Sequence, residues 1–170
     1  MVHLILAAAL SLQGTWQKAC ETTEEDSQIR VLQITDKEMT QTFHYFEEDN
    51  CQGKEWLKIE FISNYAKKNE DLDLELQSVK ATSGTDATTT GLNSISYCGY
   101  SDWKTGESKD ISGRQCSDGT APAKGTKTYS KIKQENNQLW LGKFSAKGDG
   151  RSIPTRHAIF EQEPFLKVSP

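Results

Sequence analysis

Histidine is scarce in this chain, with three residues among 170. His3 sits in the first few positions, and His44 and His157 lie far apart. A His/His/carboxylate metal centre would need the fold to bring those last two together. Lone strand histidines are more often surface or satisfied core groups, so no metal site is expected. There is no Gly-x-Ser-x-Gly, so nothing prepares a nucleophile for a Ser-His-Asp triad. There is no Gly-rich phosphate loop either. No cofactor is therefore expected, and the chain does not read as an enzyme. It has no basic stripe: Lys and Glu are interspersed and the net charge is −4, which argues against a nucleic-acid partner. No N-x-[ST] glycosylation site and no internal repeat is present. No segment keeps a helical period, and the hydrophobic fraction is only 35%.

What is present falls into short runs of aromatic and β-branched residues, a grouping that disordered chains lack. The length suits one domain with a substantial core. Residues 1–11 read as a secretory signal, and 12–170 as the mature domain. The run Leu4 to Leu10 is too short to span a bilayer but suits a signal h-region, with Ala7-Ala8-Ala9 as a small-residue cleavage site. Met1-Val2-His3 lacks the usual basic residue of such a leader. No transmembrane segment is expected, and the product is read as an exported, periplasmic or secreted, monomer.

The cysteines agree with export. Cys20, Cys51, Cys98 and Cys116 are even in number, and none forms a CxxC pair of the kind zinc favours. Four cysteines admit three pairings. Cys20–Cys51 and Cys98–Cys116 are favoured because each joins neighbours in a meander and closes a modest loop.

Period-2 alternation predicts eight strands: 14–20, 27–34, 39–46, 56–65, 71–79, 128–134, 138–144 and 156–168, the last interrupted by Pro164 and so irregular or edge-like. The fifth is the cleanest half-buried strand, with Leu72, Leu74 and Leu76 alternating against Asp71, Asp73 and Glu75. Most connections are short, implying sequential antiparallel neighbours. Eight such strands close into an up-and-down barrel, with a sandwich as the main alternative. Residues 80–126 break the rhythm. They are rich in Thr, Ser and Gly, carry Cys98 and Cys116, and cluster Tyr97, Tyr100 and Trp103. A packed, disulfide-tied excursion between strands five and six is predicted there.

At Leu12-Gln13-Gly14-Thr15-Trp16 the chain resembles the lipocalins and related calycin barrels, whose first strand opens with Gly-x-Trp. The resemblance implies that Gly14 allows a tight start and that Trp16 plugs the closed end. It also implies a late basic residue over that ring, with Arg156 the first candidate and Arg151 the second. Gly14-Thr15-Trp16-Gln17-Lys18-Ala19-Cys20 and Tyr97-Cys98-Gly99-Tyr100 resemble small exported bacterial barrels of this type. The chain departs from secreted animal lipocalins in lacking a mid-chain Thr-Asp-Tyr type motif and an amphipathic helix before its last strand.

Other clusters carry little chemistry. Glu24-Glu25-Asp26 and Glu47-Glu48-Asp49 sit in turns, where acids are normally solvated rather than paired for glycosidase work. Asp149-Gly150 lacks the spaced acids of a calcium loop. What remains is binding. Phe43, Tyr45, Leu57, Ile59, Phe61, Leu72 and Leu74 are expected to line the barrel, with Tyr97, Tyr100 and Trp103 over its mouth. The expected function is an exported binding protein for a small apolar or amphipathic ligand. The alternative is a protein-interaction module or inhibitor of a secreted enzyme. It would use 80–126 for contact, with the barrel interior simply packed.

Overall fold

The computed structural model describes residues 11–22 and 27–168. The expected signal segment 1–11, apart from Ser11, and the acidic run Glu24-Glu25-Asp26 lie outside these residues. The wall is built from β1 (Gly14–Gln17), β2 (Ser27–Ile34), β3 (Glu38–Glu48), β4 (Gln52–Lys68), β5 (Asp71–Ser83), β6 (Lys127–Glu135), β7 (Gln138–Lys143) and β8 (Phe165–Lys167). Each pairs antiparallel with the next, and β1 pairs with both β2 and β8. The ring is therefore a closed eight-stranded meander, and the sandwich alternative is excluded. Closure satisfies both outer strands, which is the usual answer to an exposed sheet edge.

The register places one face of every strand inward. Trp16 faces Leu32, Leu32 faces Gln41, Gln41 faces Phe61 and Phe61 faces Val79. On β5 the inward set runs Leu72, Leu74, Leu76 and then Val79, Ala81, an odd step. A register shift in the β4–β5 ladder absorbs it: Ile62 pairs Ser78 while Ser63 pairs Leu76. Gln77 is the extra residue of this bulge, which returns the later side chains to the interior. The hairpin turns at Asn69 and Asn136 use left-handed backbone (φ 56° and 54°), a conformation that Asn tolerates better than most residues.

Two apolar clusters occupy the two ends of the interior. The lower one joins Trp16, Leu32, Ile34, Met39, Leu72, Ile132, Leu139, Leu141 and Phe165. The Trp16 indole donates to the Leu12 carbonyl at 2.8 Å, so the plug is anchored to the chain that precedes it. The upper cluster joins Leu76, Val79 and Ala81 of β5 to Leu92, Tyr97, Trp103 and Ile111 of the excursion.

The excursion is part of the wall as well as a cap. Lys80, Ala81 and Thr82 of β5 pair with the short strand Ser108–Asp110. Helix α1 (Asp86–Ser94) starts at Thr85, whose hydroxyl accepts the Thr88 N–H. The hairpin Gln115–Cys116 with Gly119–Thr120 follows, and Cys98–Cys116 ties it to the turn after α1. The second bridge, Cys20–Cys51, joins the end of the β1 segment to the β3–β4 turn. Both pairings are the favoured ones.

The final run, 156–168, is interrupted as its proline implies: Ile159–Phe160 pairs with β7, and only Phe165–Lys167 closes the ring. Pro164, between them, lacks an N–H for a continuous ladder. One expectation needs correction: Arg156 does not stack on Trp16. The cation over that indole is Lys167, 5.2 Å from the ring centre, because Lys167 is the register partner of Trp16. Arg156 instead donates to the Leu72 and Ser130 carbonyls, pairs with Asp71 and Asp73, and lies over Tyr129. Among the described residues, no helix is long and apolar enough to cross a membrane.

Candidate functional site

Between the lower and upper clusters the interior is not filled. A cavity of ≈ 230 Å³ lies against the inward faces of β3, β4, β5 and β6. Met39, Phe61, Leu74, Leu76 and Pro122 give it apolar walls, while Gln41, Ser63, Thr126 and Thr128 add polar groups. Thr126 is held by its own turn, donating to the Ala123 carbonyl. The side chains of Gln41, Ser63 and Thr128 make no hydrogen bond among the described residues. Polar groups that line space without a protein partner are available to solvent or a ligand.

A second cavity of ≈ 150 Å³ sits above the first and shares Phe61 and Pro122 with it. Its apolar walls are Ile59, Val79 and Ile111, and its rim carries Tyr97, Cys116 and Asp118. The Tyr97 hydroxyl donates to the Asp118 carboxylate, 3.3 Å from either oxygen. Burial, and then the neighbouring Asp118 charge, push the Tyr97 phenol up to about 12. It is therefore a hydrogen-bond donor, not a phenolate, at any ordinary pH.

The expected lining residues divide into three groups. Ile59, Phe61, Leu74 and Tyr97 line the cavities. Phe43, Tyr45 and Leu57 share the inward face: Phe43 meets Phe61 edge-on at 5.7 Å and stacks near Tyr45. Tyr45 also leans on Trp56 at 5.8 Å. Leu72 is fully buried in the lower core, away from both cavities. Trp103 is 2% exposed and donates its indole N–H to the Tyr97 carbonyl, so it is core of the excursion. Tyr100 is clasped by Arg114 and Lys109, at 4.0 and 4.8 Å from its ring centre, and its hydroxyl donates to the Asp110 carbonyl. Neither lines either of these two cavities.

One feature of the interior has no counterpart in the sequence reading. Arg30 points inward from β2 and is held by two carboxylates. Glu21 accepts from its Nε and one terminal nitrogen, and Glu161 from both terminal nitrogens, all at 2.9 Å. Lys18, only 4% exposed, bridges the same pair at 2.6 Å to Glu161 and 3.1 Å to Glu21. Both cations lie near the Phe165 ring, and Arg30 also near Phe43. Burial opposes ionisation of Glu21, but hydrogen bonds from Arg30 and Lys18 outweigh it and hold its carboxyl below the usual glutamate value. Two cations and two anions cancel, so the set is a neutral internal brace rather than a charged binding patch.

The alternation Met39, Gln41, Phe43, Tyr45 already places Met39 and Gln41 on the lining face, and Leu76 continues Leu72 and Leu74. Pro122, Asp118 and Glu161 carry no such signal. Pro122 and Asp118 are exposed at the cavity rims and Glu161 is half-buried, and each sits on irregular chain that follows no period. The two distant histidines have separate partners, His44 with Glu55 and His157 with Ser130. Among the described residues no group of three or more His, Cys, Asp or Glu is placed to hold a metal ion. Neither the scan against protein-family models nor the search of curated proteins found a match to this chain.

Proposed function

We propose that this chain is an exported, lipocalin-like barrel that binds a small amphipathic molecule within its wall and does no chemistry on it. The carrying observation is the ≈ 230 Å³ cavity, apolar over most of its lining, with Gln41, Ser63 and Thr128 left without protein partners. Ligand sites are typically about 300–1,000 Å³, apolar with a few placed polar groups; at ≈ 230 Å³ this one is below that range, which restricts it to a small ligand. The two disulfides and the apolar leader support export. The apolar residues of the excursion face the barrel, which favours interior binding over a contact surface at 80–126.

Titration with N-phenyl-1-naphthylamine, an uncharged probe that brightens in apolar surroundings, tests this reading. The wild-type protein is expected to enhance its emission saturably. Ser63→Leu puts an isobutyl group into the cavity and is expected to weaken binding about tenfold or more while leaving the far-UV circular dichroism unchanged. A wild-type protein that never brightens the probe, or a Ser63→Leu protein that binds it as well as wild type, refutes the proposal.

A further inference from the structure

The two cavities contain almost no charge. The lower is lined by apolar and neutral polar side chains alone, and in the upper the one formally charged lining residue is Asp118. Its carboxylate makes no ion pair with any of the described residues, whereas Arg30, Lys18 and Arg156 are each matched by two acids. Among the described residues its only side-chain donor is the Tyr97 hydroxyl, at 3.3 Å. Asp118 is exposed at the cavity rim, so the remaining acceptor positions of its carboxylate face solvent and are open to a ligand entering there. Beside it stand the rings of Tyr97 and Phe61 and the aliphatic walls Ile59 and Val79. A carboxylate backed by aromatic faces favours a cation twice over, through charge-assisted hydrogen bonds and through the ring quadrupoles. It disfavours an anion, which would meet Asp118 with no cation in the lining to offset it. The chain's net charge of −4 acts in the same direction.

Resting on the binding reading above, we infer that the ligand class is a small amine with an apolar, ring-sized body. The protonated nitrogen sits at the upper rim on Asp118. The body lies along Phe61 and Ile59. Any hydrogen-bonding group at its far end reaches toward Gln41 and Ser63 in the lower cavity. Tyr97 steers the carboxylate, and its high pKa keeps its proton in place for that role.

Isothermal titration with three matched probes decides the point: phenethylamine, 2-phenylethanol and 3-phenylpropanoate. The wild-type protein is expected to bind phenethylamine about tenfold or more tightly than 2-phenylethanol, and the carboxylate most weakly. Asp118→Asn keeps an acceptor for Tyr97 but removes the charge. It is expected to bind the amine and the alcohol alike, with alcohol affinity unchanged. Tyr97→Phe leaves the charge and is expected to keep the preference for the amine. If wild type binds amine and alcohol equally, or if Asp118→Asn retains the preference, the inference is wrong while the binding reading stands. If none of the three probes binds and N-phenyl-1-naphthylamine does not either, both are wrong.

Discussion

Arg30 has its charge matched on both sides, by Glu21 and by Glu161, in bidentate geometry. Fork-on-fork pairing of this kind is the strong form of a charge-assisted hydrogen bond, and it fixes direction as well as distance. Burial works against the Arg30 charge, but the two carboxylates outweigh it and raise its pKa above the ordinary value. Arg30→Met would leave two acids facing each other with Lys18 as their one shared partner. Breaking a largely buried pair in this way costs about 3 kcal/mol, measured as a shift of the urea midpoint. The same group gives the protein an acid sensitivity. A carboxyl held lower in the folded than in the unfolded state stabilises the fold above its unfolded pKa. That contribution is lost as the pH falls through the folded value. Glu21 is such a group, so the urea midpoint is expected to fall as the pH drops below the usual glutamate range. In Arg30→Met, where Glu21 has lost its main donor, this slope is expected to flatten.

Among the elements, β5 carries the most varied duty. Its first half pairs with β6 and its second half with Ser108–Asp110, so one strand joins the regular meander to the excursion. The bulge at Gln77 lies between those halves, and Gly84 ends the strand. The Gly84 N–H donates to the Trp56 carbonyl, and a Cβ at that position would run into the neighbouring Glu55 carbonyl. Gly84→Ala therefore forces β4 and β5 apart where the excursion begins. A loss of about 1–3 kcal/mol is expected from such overpacking, read by thermal or urea unfolding. Helix α1 was not legible beforehand. Its Thr, Gly, Ser and Asn residues are poor helix formers, and only Leu92 is buried, so no apolar stripe marks it. Its Thr85 cap and its packing against the upper cluster hold it instead.

At the scale of the molecule, the ring is shut by its shortest strands. β8 contributes three residues and β1 four, yet between them they hold Phe165 and Trp16, both fully buried. Phe165 touches the lower core and lies near both cations of the brace, so it links apolar packing to the charged set. Phe165→Ala is expected to cost about 3–5 kcal/mol. It should also speed proteolysis near the C-terminal segment more than elsewhere, because that seam opens first; limited proteolysis with mass spectrometry reads this. Uniform cleavage over the whole chain would contradict a local seam.

The sequence by itself indicated the strands of the meander and the inward face of β3 to β5, and it favoured the disulfide pairs without excluding the other two pairings. These follow from local patterning: a period of two sets the face of a strand, and short turns set its neighbour. Only the tertiary structure decided how the interior is filled. Glu161 reaches Arg30 across 131 residues of sequence, and Lys167 rather than Arg156 covers Trp16. Pro122 and Asp118 arrive at the cavities from irregular chain. Whether a barrel is filled or hollow depends on how side chains from every wall meet at one depth, and no single stretch of sequence contains that sum.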